Sequence, residues 1–248
     1  MASIAFTTNF TLNVPDITKQ QETIRSFFHT FKPSQDIQIF VLYDDKPLSK
    51  IEKSFKLANG TECNDYKPVC EEYIKNLKNI PEFENAHFIH TKSLCDGYKQ
   101  VLRLCNTPYL FFLEHDWIFL PNITHTLEDL MLYLDNHQEI NCILFNKFKN
   151  IKFPFQSVQQ LEHEIPVCLT SRQSNNPNLM RVDHALKVKD VLINENGCSV
   201  HPNIEFKYSV NGFLLPNYCG GIECELTEYC DKYNLTTELG TVLYGPLN

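Results

Sequence analysis

The sequence has no apolar run near the length of about 20 residues that a membrane-spanning helix needs. Its first apolar residues, 4–6, lie between polar neighbours and follow no basic region, so the sequence predicts no signal peptide. A chain with neither feature is expected to be soluble, to have no transmembrane segment and to be cytoplasmic.

Positive charge is also scarce. The chain has 22 Lys and Arg against 30 Asp and Glu, a net charge of -8, and no basic cluster. Proteins that bind nucleic acid need a basic surface to contact the phosphates. The sequence therefore predicts no nucleic-acid partner.

Paired cysteines are missing as well. The ten cysteines are scattered, and none form a Cys-x-x-Cys motif of the kind used by many redox and zinc sites. Without a secretory signal they are expected to be reduced, small and mostly buried residues. No internal repeat is visible, and 248 residues are enough for one large α/β domain or two small ones.

The most informative stretch that is present is an apolar run that stops at two acidic residues. The segment 109–113 is apolar throughout, which is typical of a strand buried on both faces of a parallel sheet. Glu114 and Asp116 follow at its carboxyl end, where open α/β sheets bind ligands. Two hard oxygen donors in this place can share a Mg²⁺ or Mn²⁺ ion. A strand that simply ends in a solvated acidic turn would show the same residues.

Two earlier strands are predicted to end in polar residues at the same edge of the sheet. The first runs over 3–8 and ends at Thr8 and Asn9, and the second runs over 35–43 and ends at Asp44 and Asp45. The apolar spacing between them predicts a helix, and a strand, helix, strand order gives a parallel pair. Asp44 or Asp45 could accept hydrogen bonds from a base or ribose, although a loop-entry turn explains them equally well.

Further periodic segments complete the first half of the chain. A short strand is predicted over 86–90, a helix over 94–105 with Asp96 in its first turn, a helix from Pro121, and a strand over 141–146. His87 and His90 have the odd spacing that places them on opposite strand faces, so packing or surface roles are favoured over metal binding.

The second half is less regular, and two of its segments contain candidate site residues. Arg172, Asn176 and Arg181 lie in or beside a polar turn and could contact a phosphate or an acceptor hydroxyl, although solvated side chains would look the same. Gly220 and Gly221 allow close approach of the backbone to a ligand, and an acidic segment follows. Its carboxylates, if ionised near a helix start, can act as a base. They are Glu223 and Glu225.

In motif order the chain resembles the metal-dependent, nucleotide-sugar glycosyltransferases of the GT-A fold, including family 2-like enzymes. The match consists of an early nucleotide-binding half, acids after the second strand, the Glu114-His115-Asp116 motif in the place of Asp-x-Asp, and a late Gly-Gly-x-Glu segment. The resemblance implies a single α/β domain over 1–248, with a mostly parallel, Rossmann-like sheet flanked by helices. Residues 1–120 would bind the nucleotide sugar and 121–248 the acceptor.

The resemblance also implies roles for individual residues. Asp116 would bind the metal directly, Glu114 would contact metal or ribose, and Glu223 would be the base of an inverting enzyme, with Glu225 in reserve. The remaining donor-binding candidates are Thr8, Asn9, Asp44, Asp45 and Asp96. Two departures from the family pattern stand out. The first motif residue is Glu, and no His follows His201 to serve as a third metal ligand, so that ligand stays open.

These observations predict a glycosyltransferase that moves a sugar from a UDP- or GDP-linked donor to a carbohydrate or glycoconjugate acceptor, with Mn²⁺ or Mg²⁺. A sugar-nucleotide-forming nucleotidyltransferase would use a similar nucleotide half. Such an enzyme would need a glycine-rich loop with Lys or Arg to hold a triphosphate, and the amino-terminal part shows none. A catalytically silent module that binds sugar nucleotides or glycans is the third alternative.

Overall fold

The computed structural model describes residues 1–8, 16–43, 55–56, 62–63, 67–91, 94–119, 123–145, 158–170, 177–186 and 241–244. Within them, four helices alternate with strands along the first two thirds of the chain. The helices are α1 Thr18–Phe31, α2 Lys67–Lys78, α3 Leu94–Leu104 and α4 Leu127–Asn136. A 3-10 turn covers Pro81–Phe83, and a short helical turn covers 182–186.

Nine of the described strands form one sheet. In chain order the strands are β1 Ala2–Thr8, β2 Gln38–Tyr43, β3 Phe55–Lys56, β4 Glu62–Cys63, β5 His87–His90, β6 Tyr109–Glu114, β7 Cys142–Leu144, β8 Val158–Leu161, β9 Val167–Thr170, β10 Asn178–Arg181 and β11 Thr241–Tyr244. The sheet order is β5-β2-β1-β6-β10-β7-β11-β9-β8, and β3 and β4 pair separately.

The main sheet is mixed, and most of its strands run in one direction, which agrees with the predicted mostly parallel sheet. β5, β2, β1 and β6 are parallel neighbours, and β7 and β11 form another parallel pair. β10 is antiparallel to both β6 and β7, and β9 is antiparallel to both β8 and β11. All the strands of this sheet except β9 and β10 therefore run in one direction, and the predicted α/β class is confirmed.

Strand β6 lies inside the sheet, between parallel β1 and antiparallel β10, and both of its faces are apolar. Residues Tyr109 to Leu113 are all buried, which requires covering layers above and below the sheet. On one face, Phe111 packs against Phe27 of α1 with ring centroids 4.7 Å apart and against Phe31 at 5.2 Å. These rings lie on the helix face that the apolar spacing of α1 predicted, so packing of α1 on the sheet follows from the sequence pattern.

Helix α4 begins later than the sequence pattern indicates. Pro121 was expected to start it, but the first helical residue is Leu127 and Thr126 is the N-cap. Thr126 and Asp129 form a capping box: the Asp129 N–H donates to Thr126 Oγ1 at 3.2 Å, and the Thr126 N–H donates to Asp129 Oδ2 at 2.7 Å. These two bonds satisfy backbone groups that a helix end leaves open, so the helix starts here.

None of the helices in the described ranges is long and apolar enough to cross a membrane.

Candidate active site at the carboxyl edge of the sheet

Four neighbouring parallel strands end at one edge, with their last residues within one position of register. Thr7 of β1 lies opposite Glu114 of β6, Thr8 lies opposite Tyr43 of β2, and Tyr43 lies opposite His90 of β5. Open α/β sheets bind ligands at this edge. Glu114 therefore stands at the carboxyl edge of the sheet, as the sequence predicted.

The two acids of the Glu114-His115-Asp116 motif have different surroundings. Glu114 is the last residue of β6 and is partly buried, whereas Asp116 is exposed in the turn that follows. Burial, and secondly the charge of Asp116, raises the pKa of Glu114 to about 7, and a hydrogen bond from the Trp117 side chain opposes this rise. The effect of Asp116 on this pKa means that the two carboxylates are close enough to repel each other. Burial also acts on His115, between them, and lowers the pKa of its ring.

This arrangement fits a hard divalent cation. Glu114 and Asp116 supply oxygen ligands, and a cation would offset both the burial of one charge and the repulsion between the two. Among the residues that the structure describes, no group of three or more His, Cys, Asp or Glu side chains could hold a metal ion. Water, substrate oxygens, carbonyl groups or side chains outside those ranges would have to complete the coordination.

Thr8 lies at the expected edge, but its side chain is already used by a buried network. Its hydroxyl is hydrogen-bonded to the Tyr73 hydroxyl of α2. Gln20 of α1 donates to the Tyr73 oxygen at 2.9 Å and to Thr8 Oγ1 at 3.4 Å. All three residues are buried. Thr8 therefore ties the end of β1 to two helices, and its side chain is not available for a donor nucleotide in this arrangement.

Asp96 lies close to this edge, in the first turn of α3, which follows β5. Its carboxylate accepts a hydrogen bond from Gln100 Nε2 at 2.9 Å, one helical turn later. It is half-buried. The position is compatible with donor binding, which stays a prediction.

Arg181 lies at the opposite edge. Its strand-pairing partner is Tyr109, the first residue of β6. Glu114 is the last residue of that strand, so Arg181 and Glu114 are at opposite ends of it. Its guanidinium donates to the carbonyl oxygens of Ile140 at 3.0 Å, His137 at 3.4 Å and Leu134, where α4 ends. The expected contact of Arg181 with a phosphate or acceptor does not fit this position, because its donors close the carbonyl end of a helix.

The other predicted site residues lie outside the described ranges: Asn9, Asp44, Asp45, Arg172, Asn176, Glu223 and Glu225. In the chain, Asp44 directly follows Tyr43, and residue 176 comes two residues before Asn178, which lies opposite Phe112 of β6. The two histidines of β5 are both exposed and pack beside aromatic rings of β2, with His87 5.6 Å from Phe40 and His90 5.5 Å from Tyr43. These positions agree with the predicted surface or packing role.

Sequence reasoning missed three residues near the acids. Trp117 packs against the core, and its side chain also hydrogen-bonds to Glu114. Thr23 of α1 donates to the His115 carbonyl, and Lys19 is near enough to His115 to lower the pKa of that ring. Polar residues beside the apolar stripe of α1 were a visible signal. Their targets were not visible, because they depend on which strand end α1 covers.

No protein-family model matches the sequence, and a search of curated proteins found no match. Several solved structures do match. For S. aureus TarS 1–349 the TM-score is 0.44 at 13% identity, covering 85% of this chain and 52% of that one. For CMP:2-keto-3-deoxy-manno-octonic acid synthetase complexed with CTP the TM-score is 0.45 at 9% identity, and the match covers 100% of this chain and 89% of that one.

A third match is the mannosyltransferase PcManGT from Pyrobaculum calidifontis in complex with GDP-Man and Mn²⁺, with a TM-score of 0.37 at 7% identity, covering 59% of this chain and 35% of that one. This chain spans only about half the length of the TarS structure, 52%. Glycosyltransferases and nucleotidyltransferases are both among the structures that it resembles.

Proposed function

We propose that this protein is a glycosyltransferase that depends on a divalent metal and transfers a sugar from a nucleotide-sugar donor to a hydroxyl acceptor. The observation that supports this most is the pair of close carboxylates, Glu114 and Asp116, at the ligand-binding edge of the central strand. A pair of this kind can hold Mg²⁺ or Mn²⁺ together with the oxygens of a diphosphate. The donor would be UDP- or GDP-linked.

Each acid has its own part in this proposal. Asp116 is exposed and would bind the cation directly, while Glu114 would hold it from the partly buried side. The cation, when bound, would act as a Lewis acid that stabilises the negative charge of the leaving nucleoside diphosphate. The Trp117 side chain bonds to Glu114 and would keep its carboxylate oriented.

The remaining roles rest on the sequence pattern. Residues 1–120 would bind the donor, with Asn9, Asp44, Asp45 and Asp96 as candidate contacts, and 121–248 would bind a carbohydrate or glycoconjugate acceptor. Arg172 and Asn176 are candidate acceptor or phosphate contacts. Glu223, or Glu225 in its place, would remove the proton from the acceptor hydroxyl as the new bond forms.

Metal removal is the direct test. Transfer from a panel of UDP- and GDP-sugars should stop in EDTA and return with Mn²⁺. Asp116→Asn should weaken Mn²⁺ binding at least as much as the roughly 10- to 100-fold loss caused by changing groups that only support a metal ligand. Asp36→Asn is the matched control, because Asp36 is an exposed aspartate in the turn before β2, at the opposite edge. Transfer that survives EDTA or Asp116→Asn would contradict the proposal.

Two other outcomes would replace the proposal with one of the alternatives. Release of pyrophosphate from a nucleoside triphosphate and a sugar phosphate would identify a nucleotidyltransferase. Saturable binding of nucleotide sugar without turnover across donors and acceptors would identify a silent binding module.

A further inference from the structure

The turn that contains Asp116 is bound to helix α1 by two hydroxyl side chains. Thr23 Oγ1 donates to the carbonyl oxygen of His115 at 2.8 Å. The N–H of Phe119 donates to Ser26 Oγ at 3.2 Å, and the Ser26 hydroxyl donates in turn to the Thr23 carbonyl at 2.8 Å. The two attachments lie on either side of Asp116.

The spacing of the two hydroxyls on α1 makes this possible. Residues three apart lie on the same helix face, so Thr23 and Ser26 both point towards the turn. Thr23 is buried, and its partner His115 is 92 residues away in the sequence. The bond is partly buried, so removing this donor would leave the His115 carbonyl without this hydrogen bond in a partly desolvated place, which is unfavourable.

The far end of the turn is also held by aromatic packing. The ring of Phe119 is buried, 4.8 Å from that of Phe31 and 6.0 Å from that of Phe27, both on α1. It also packs edge-on against Phe145 at 5.9 Å. Polar and apolar contacts with one helix therefore determine where the turn begins and ends.

We propose that Thr23, assisted by Ser26, is a positioning residue that holds the backbone around Asp116 so that its carboxylate and that of Glu114 face one cation before the cation binds. This inference rests on the proposed function. A turn that was free in solution would have to be ordered when the cation binds, and that loss of conformational freedom would weaken the affinity. The hydrogen bonds of Thr23 and Ser26 order the turn when the protein folds, so the turn loses no further conformational freedom when the cation binds.

The single tryptophan of the chain provides a measurement that does not depend on activity. Trp117 is next to Asp116 and is the only tryptophan, so quenching of its fluorescence by paramagnetic Mn²⁺ reports on this site. Thr23→Val keeps the shape of the side chain but removes the hydroxyl. It should raise the Kd for Mn²⁺ about 2- to 12-fold, the range expected for one neutral hydrogen bond. Thr23→Ser restores the hydroxyl and should bring Kd back to within about twofold.

Thr107→Val is the matched control. Thr107 is also buried, and its hydroxyl donates to the carbonyl of Tyr109 at 2.9 Å, at the other end of the same strand. Both valine variants should lose stability in urea. Only Thr23→Val should change the Kd for Mn²⁺, with Asp116→Asn defining the quenching that does not arise from the site.

Two results would overturn the inference in distinguishable ways. Equal Kd values for Thr23→Val and wild type, both folded by circular dichroism, would show that Thr23 does not position the acids, while the metal site would stand. Absence of saturable quenching in wild type would contradict the metal site and the inference together. If Thr23→Val does not fold, Ser26→Ala takes its place, because Ser26 is only half-buried. An unchanged Kd in that variant would also overturn the inference.

Discussion

Glu114 and Asp116 are separated by one residue, but their environments differ. Asp116 is exposed in the turn after β6. Glu114 is partly buried, and burial is the largest cause of its raised pKa, followed by the charge of Asp116. In the metal-free protein the ionised Glu114 is therefore unfavourable. Such a residue is expected where a cation, rather than stability, is the reason for its presence.

Replacement of Glu114 should therefore separate stability from metal binding. Glu114→Gln removes the buried charge, so at pH 8 in EDTA it should raise the free energy of unfolding by on the order of 1–3 kcal/mol, since each pKa unit corresponds to about 1.4 kcal/mol. Mn²⁺ should then stabilise the wild type against urea much more than the variant, because it binds only an intact folded site.

Glu128→Gln is the control for this experiment, because Glu128 is an exposed acid in the first turn of α4. That change should leave the response to Mn²⁺ unaltered. A Glu114→Gln protein that is less stable than wild type in EDTA would show that the carboxylate has a structural partner that outweighs its burial.

At the scale of elements, the close contact of α3 with β2 depends on the absence of one side chain. A Cβ atom on Gly97 would lie 2.9 Å from Thr91 Cγ2 and 3.2 Å from Leu42 Cδ1. Thr91 and Leu42 are both buried, so neither can move away freely. Gly97 thereby allows α3, with Asp96, to lie close to the ends of β2 and β5.

Gly97→Ala should destabilise the protein even though alanine favours helices. The expected overpacking cost of about 1–3 kcal/mol exceeds the gain in helix propensity of up to about 1 kcal/mol. Thr91→Ser removes the nearest methyl group and keeps the hydroxyl that donates to Tyr43 O at 3.2 Å. In a double-mutant cycle measured by urea unfolding, Thr91→Ser should recover part of the loss. Additive effects would show that the clash is not with Thr91.

Local sequence signals predicted helix α4 but not the residue at which it starts. Proline is frequent at the first position of a helix, and Pro121 predicted the start a few residues too early. The capping box of Thr126 and Asp129 satisfies open backbone groups at the observed start. The later start leaves residues 123–126 non-helical, and His125 among them bonds to the Tyr244 hydroxyl at 2.7 Å.

For the whole molecule, different kinds of charged residue lie at the two edges of the sheet. The carboxyl edge contains the repelling acids, which suit ligand binding. At the amino edge, Arg181 donates to the carbonyl of Leu134 in the last turn of α4 and to that of the C-cap His137, and its guanidinium lies 5.8 Å from the Tyr109 ring centre. Mutations at the two edges should therefore have separable effects.

Arg181→Lys tests this separation. Lysine keeps the charge but cannot reach several carbonyls at once with a planar fork, so unfolding in urea should become easier by about 1–3 kcal/mol. The Kd for Mn²⁺, measured by Trp117 quenching, should stay within about twofold of wild type, since no contact of Arg181 is lost at the proposed metal site. A large change in Kd without a change in stability would place Arg181 in the functional site after all.

The amino-acid sequence by itself determined the class of fold, the central strand and the acids at its end. Residues 109–113 are apolar without interruption, and such a run is stable only when covered on both faces. The polar residues after it then have to lie at an edge of the sheet. These are local consequences of composition and spacing, so they can be predicted without neighbours.

Only the tertiary structure decided which polar residues meet at that edge. Thr8 and Arg181 looked similar to the acids as candidates, yet one is used in a buried network and the other closes a helix at the far edge. Thr23 lies 92 residues from His115, and the bond between them exists only because α1 packs over β6. Hydrogen bonds of polar side chains depend on distances of a few tenths of an ångström between segments far apart in the chain, and no local pattern contains that information.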